Sequence, residues 1–142
     1  MSNLQVLERI ANELVETFNI SIPPIPIESM LQHPKPDMWE DLDISQLSGS
    51  FLRVTEYYSP RMSLARLLVR QLISSSWGQA RDLSTYLTDE DTLHRFARMI
   101  VMPAPMVLEL NAAARTPSLL SAHFEVPEED ARLRLEELKA AK

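Results

Sequence analysis

Apolar side chains fall at Leu4, Leu7, Ile10, Ala11, Leu14, Val15 and Phe18, three and four positions apart. That spacing predicts an amphipathic helix over residues 3–19. Ser2 stands ahead of it with Gln5 three positions on, the pattern of a capping box. Prolines at 23, 24 and 26 then hold the chain extended, because each pushes the residue before it out of the helical region. Pro26 opens a short helix that runs through Leu31 and stops before His33-Pro34. Residues 35–46 read as irregular, with Trp39 as their anchor in the core.

Ser50-Phe51-Leu52-Arg53-Val54-Thr55 alternates and carries Phe, Val and Thr, which predicts a strand. Ser59-Pro60 starts a helix over residues 60–75, the most apolar of the chain, with Leu64, Leu68, Leu72 and Ile73 along it. Ser74-Ser75-Ser76 and Gly78 end that helix. Thr88, followed by Asp89, Glu90 and Asp91, caps the next one, residues 89–101. Its face carries Leu93, Phe96, Ala97, Ile100 and Val101, and it stops before Met102-Pro103. Further helices are expected over 105–114, from Thr116-Pro117 to Phe124, and from Pro127-Glu128-Glu129-Asp130 onward. The expected fold is α+β and helix-dominated, a central helix pair (60–75 and 89–101) beside a small sheet of two or three strands.

Composition narrows the function classes. The 142 residues suffice for one domain, and 45% hydrophobic with 24% charged residues is the mix of a soluble globular fold. No apolar run approaches the roughly 20 residues that span a bilayer, and the N-terminus lacks a secretion-signal pattern. With no cysteine there is no disulfide, thiolate metal site or cysteine nucleophile, so a cytoplasmic location without membrane attachment is expected. A net charge of -6 opposes sequence-independent binding to phosphate backbones. Two glycines against ten prolines leave few loops able to take positive φ, and no glycine-rich nucleotide loop.

Five segments in order resemble the ImmA/IrrE family of zinc metallopeptidases, across roughly residues 10–140: Pro23-Pro24-Ile25-Pro26-Ile27-Glu28, Leu47-Ser48-Gly49-Ser50-Phe51, Arg61-Met62-Ser63-Leu64-Ala65, Phe96 through Pro103, and the tail from Ser118 to Leu138. The resemblance implies a zincin-like domain whose chemistry needs a His-Glu-x-x-His helix, two histidines binding zinc and a glutamate activating its water. Here those positions hold Arg66, Leu67 and Arg70, and the third ligand position falls on Thr92, with Glu90 as the nearby carboxylate. Guanidiniums do not ligate a cation; they repel it. His33, His94 and His123 are scattered, without partners at ligand spacing. Only Glu56-Tyr57-Tyr58-Ser59 separates Thr55 from Pro60, where the family usually has another strand that would present an edge to a peptide.

The expectation is therefore a non-enzyme with no cofactor. It would act as an interaction or regulatory module for a protein partner, possible occupants being a helix-turn-helix repressor, the family's usual target, or a second copy of itself. The alternative is a small-anion or ligand site in the former cleft, using Arg66, Arg70, Thr92 and Glu90. Against it stands a solvated arginine face, or internal pairing with Glu90 or Asp91. The helix pair over 116–140 also resembles a helix-turn-helix. Its second helix would present Glu128, Glu129 and Asp130 to an anionic groove, which opposes direct DNA binding.

Overall fold

The computed structural model describes residues 2–40 and 59–140. Helix α1, Asn3–Thr17, starts where the Ser2 side chain accepts from the Gln5 amide and the Gln5 side chain accepts from the Ser2 amide, so the capping box closes. The proline stretch, with a cis Pro23–Pro24 bond, leads into α2, Ile27–Gln32. After α3, Ser59–Ser74, come two single-turn helices, α4 (Ser76–Gln79) and α5 (Leu83–Tyr86). Then follow α6 (Glu90–Val101), α7 (Ala104–Glu109), a 3-10 turn at Ala112–Ala114, α8 (Pro117–Phe124) and α9 (Glu128–Ala140).

Helix α6 is packed on three sides, by α1, α3 and α9. Its Leu93, Phe96, Ala97, Met99, Ile100 and Val101 are all buried. From α3 come Met62, Leu64, Ala65, Leu68, Val69 and Leu72, and from α1 Leu7, Ile10, Ala11, Leu14 and Val15. These side chains form one cluster, which Ile25, Ile27, Met30 and Leu31 extend beneath α2. The pairing of α3 with α6 is the central helix pair that the periodicity predicts. Gly78 is required where α4 folds back on α3, since a Cβ there would lie 1.9 Å from the Leu72 carbonyl oxygen.

Polar ties close the ends of this core. Arg134, fully buried on α9, donates from Nε to the Met102 carbonyl at 3.0 Å and from Nη2 to Glu8 of α1 at 2.8 Å. Arg81 donates to Glu13 and to the Trp77 carbonyl, and its guanidinium lies 3.7 Å from the centre of the Trp77 ring. Arg81 also holds the Glu13 carboxyl below the usual carboxylate range, chiefly through those hydrogen bonds. Trp39 sits half-buried against the core, its Nε1 donating to the Leu31 carbonyl at 2.9 Å.

The α+β expectation is corrected: among the described residues there is no strand, and the fold is helical. A strand needs a neighbour to complete its hydrogen bonds. Each long helix of the described core carries a helical stripe, and the stretch over 22–26 has prolines that cannot donate. The strand expected at 50–55 lies outside the described residues, as do residues 41–46 of the irregular stretch. Helix α6 is capped by Asp89 rather than Thr88. The helix expected over 105–114 breaks at Leu110, and Asn111 caps the 3-10 turn instead. Among the described residues four non-glycine positions take positive φ: Asn19, Asp37, Asp82 and Glu125. Three of these are Asn or Asp, which tolerate that region, so scarce glycine limits the loops less than its count suggests.

Leu68→Ala is expected to cost about 2–5 kcal/mol in urea denaturation, because Leu68 is fully enclosed in the cluster. A loss well under one kcal/mol would put α3 outside the core. Breaking the Glu8–Arg134 pair should be asymmetric. Glu8→Ala strands a guanidinium of zero exposure and should cost about 3–5 kcal/mol. Arg134→Met leaves a carboxylate that is 22% exposed and can hydrate, and should cost less. Equal losses, or the reverse order, would show that Arg134 reaches water.

Candidate functional site

The expected site lies where α3 faces the start of α6. Four-residue spacing puts Arg66 and Arg70 one turn apart on α3. Asp89 caps α6 by accepting from the Thr92 amide at 2.7 Å, and Thr92's hydrogen bonds hold the Asp89 carboxyl below its ordinary range. Glu90 falls in the first turn, where a negative charge is favoured by the helix dipole. Its carboxylate stands 3.2 Å from Nη2 of Arg70 and 3.5 Å from Nε2 of His94, one turn on.

Arg70, Glu90 and His94 thus form a surface cluster tying α3 to α6. Arg70 and Glu90 are both at least half exposed, so the pair is of the kind that contributes about 0.2–1 kcal/mol. Arg66 lies half-buried and donates to the Ser63 hydroxyl at 3.2 Å. Leu67, at the position of the resembled family's general base, packs against the core. An anion approaching the two arginines meets Glu90 already seated on Arg70. Thr92 is placed beside this cluster in sequence, with its amide committed to the Asp89 cap. His33 and His123 are exposed elsewhere, His123 edge-on to Phe124. Among the described residues no three His, Asp or Glu side chains gather into a set able to hold a metal ion.

No protein-family model, curated protein or solved structure matches the chain. Among the described residues no helix is long and apolar enough to cross a membrane. The site's chemistry therefore has to be argued from its own side chains.

A second polar assembly, which sequence reasoning missed, joins α1, α6 and α9. Glu137 accepts from Nε of Arg98 at 3.2 Å, and Asp130 lies 3.8 Å from the same guanidinium. Glu8 binds Arg134 beside them, and Arg95 stands 3.7 Å from Glu137. Glu8, Arg95 and Glu137 of this assembly border a cavity of about 240 Å³ that Ser2, Leu4, Gln5, Met99 and Ala140 also line. A signal was available: Ala131, Arg134 and Leu138 share one stripe of α9, and a charge on an apolar stripe asks for a buried partner.

Zinc is expected at well below one equivalent in protein purified without a histidine tag and then dialysed, since Arg66, Arg70 and Thr92 supply no imidazole or carboxylate. Elemental analysis checks this, and near-stoichiometric zinc would overturn the correspondence of these positions with the resembled metal motif.

Proposed function

We propose that this protein is a non-catalytic interaction module of ImmA/IrrE type, acting in the cytoplasm on another protein. One observation carries the reading. Val107, Leu108, Leu135 and Leu138 line a depression of about 130 Å³ whose other walls are Arg115 and Lys139. Leu108 remains 46% exposed, a large apolar side chain left in water. Arg115 is held in place by its own hydrogen bonds to the carbonyls of Leu110 and Leu108, at 2.8 and 3.1 Å. An apolar dent with a fixed cation on its rim suits an apolar anchor flanked by acids, as an amphipathic helix can present.

The former metal positions support the non-catalytic part of the proposal. Arg70 serves as a tie to Glu90, and Leu67 serves the core. The partner the resemblance suggests is a helix-turn-helix regulator, bound without cleavage. A second copy of the chain is the other occupant, and its own acidic balance makes it a candidate for the same cationic rim.

Tagged wild-type protein is expected to recover a stoichiometric partner from its native host, while Leu108→Glu and Lys139→Glu weaken that complex about tenfold or more. Sedimentation velocity of the purified chain separates self-association from a foreign partner. Identical recoveries with wild type and both variants, together with a monomer insensitive to them, would overturn the proposed face.

A further inference from the structure

Arginine is the most heavily used polar side chain in this fold. Arg61, Arg81, Arg98, Arg115, Arg132 and Arg134 each donate at least two hydrogen bonds. Arg95 on α6 donates none among the described residues, and its Nε is buried without an acceptor. Glu137 forms an ion pair with that Nε at 3.7 Å, beyond hydrogen-bond distance, and each of its oxygens already accepts from Arg98. A buried donor left without an acceptor costs stability and asks for a reason.

The cavity supplies one. Arg95 lines it together with Leu4 and Met99, whose side chains give it an apolar wall. Glu8 and Glu137 also line it, but each carboxylate is matched by a two-pronged arginine, Arg134 and Arg98 respectively. Arg95 is thus the lining cation, engaged by Glu137 only at 3.7 Å, and the start of α1 borders the same space through Ser2, Leu4 and Gln5. At about 240 Å³ the space exceeds the roughly 150 Å³ that admits benzene in an engineered cavity. We propose that this cavity binds a small monocarboxylate, its carboxylate on the Arg95 guanidinium and its apolar body against Leu4 and Met99. The site is separate from the Arg66–Arg70 face and from the depression beside Leu108.

Benzoate is the probe, with benzyl alcohol as its neutral counterpart, titrated into labelled protein and followed by NMR. Saturable shifts at the Leu4, Met99 and Ala140 methyls are expected with benzoate, at an affinity at least about tenfold above that of the alcohol. Arg95→Met should abolish that preference without loss of fold, because Arg95 gives up only its 3.7 Å ion pair with Glu137. Arg95→Lys should keep part of it, and Arg66→Met all of it. Three results would overturn the proposal: no saturable shift in wild type, equal affinity for benzoate and the alcohol, or a preference retained in Arg95→Met. If Arg95→Met does not fold, the wild-type comparison of benzoate with the alcohol still decides.

Discussion

Among the described residues, three helices end on carbonyls that arginines outside those helices hold. Met102 closes α6 and accepts from Arg134; Leu110 closes α7 and accepts from Arg115; Glu125 closes α8 and accepts from Arg61. A helix leaves its last four carbonyls without partners inside the helix, and a glycine-led turn is the common remedy. With two glycines in 142 residues that remedy is scarce, and the guanidinium takes its place. A cation also suits the negative end of a helix dipole. Arg134 is the extreme instance, since it reaches the end of α6 from a fully buried position and needs Glu8 of α1 to balance its charge. The packing of α1, α6 and α9 depends on that balance.

How far the sequence discloses this follows from which interactions are local. The spacing of Leu7, Ile10, Ala11, Leu14 and Val15 places α1 within two residues of its observed end, and Ser2 with Gln5 places its start. The same holds for α3, read from its stripe, and for α6 and α8, whose caps are written within a few positions. α4 and α5 have no such signature, because one turn is shorter than the period that would reveal it. Glu8 and Arg134 are 126 positions apart, and Arg98 and Glu137 39 apart. No pattern in the chain announces such pairs. Only the misfit of a charge on an apolar stripe hints that a partner exists.

The cluster at Arg66, Arg70 and Glu90 shows the converse. Its position could be read from the chain in advance, since an arginine pair four apart on a helix that meets the acidic start of another helix has an obvious neighbour. What could not be read was the state of each side chain. Arg70 turned to Glu90 and Arg66 turned to Ser63 divide the pair between two acceptors, so the two guanidiniums do not converge on one point. A carboxylate or phosphate clamp gains its strength from two parallel bonds to one ligand. Arginines already engaged in separate directions give up that gain before any ligand arrives.

Engagement is therefore a better guide to function here than residue type. In a fold where arginines are spent on helix ends and acids, a guanidinium whose Nε is buried without an acceptor stands out against its own background, as a lone one in an arginine-poor chain would not. Arg95 sits one turn of α6 from Met99 and beside the same carboxylate that saturates Arg98. Around it Glu8, Asp130 and Glu137 face Arg95, Arg98 and Arg134, three acids against three arginines, and Arg95 meets its acid only at 3.7 Å. A side chain held only by one long ion pair, next to a cavity with an apolar wall, is where binding chemistry has room to operate without disturbing the helix-end contacts that hold the core.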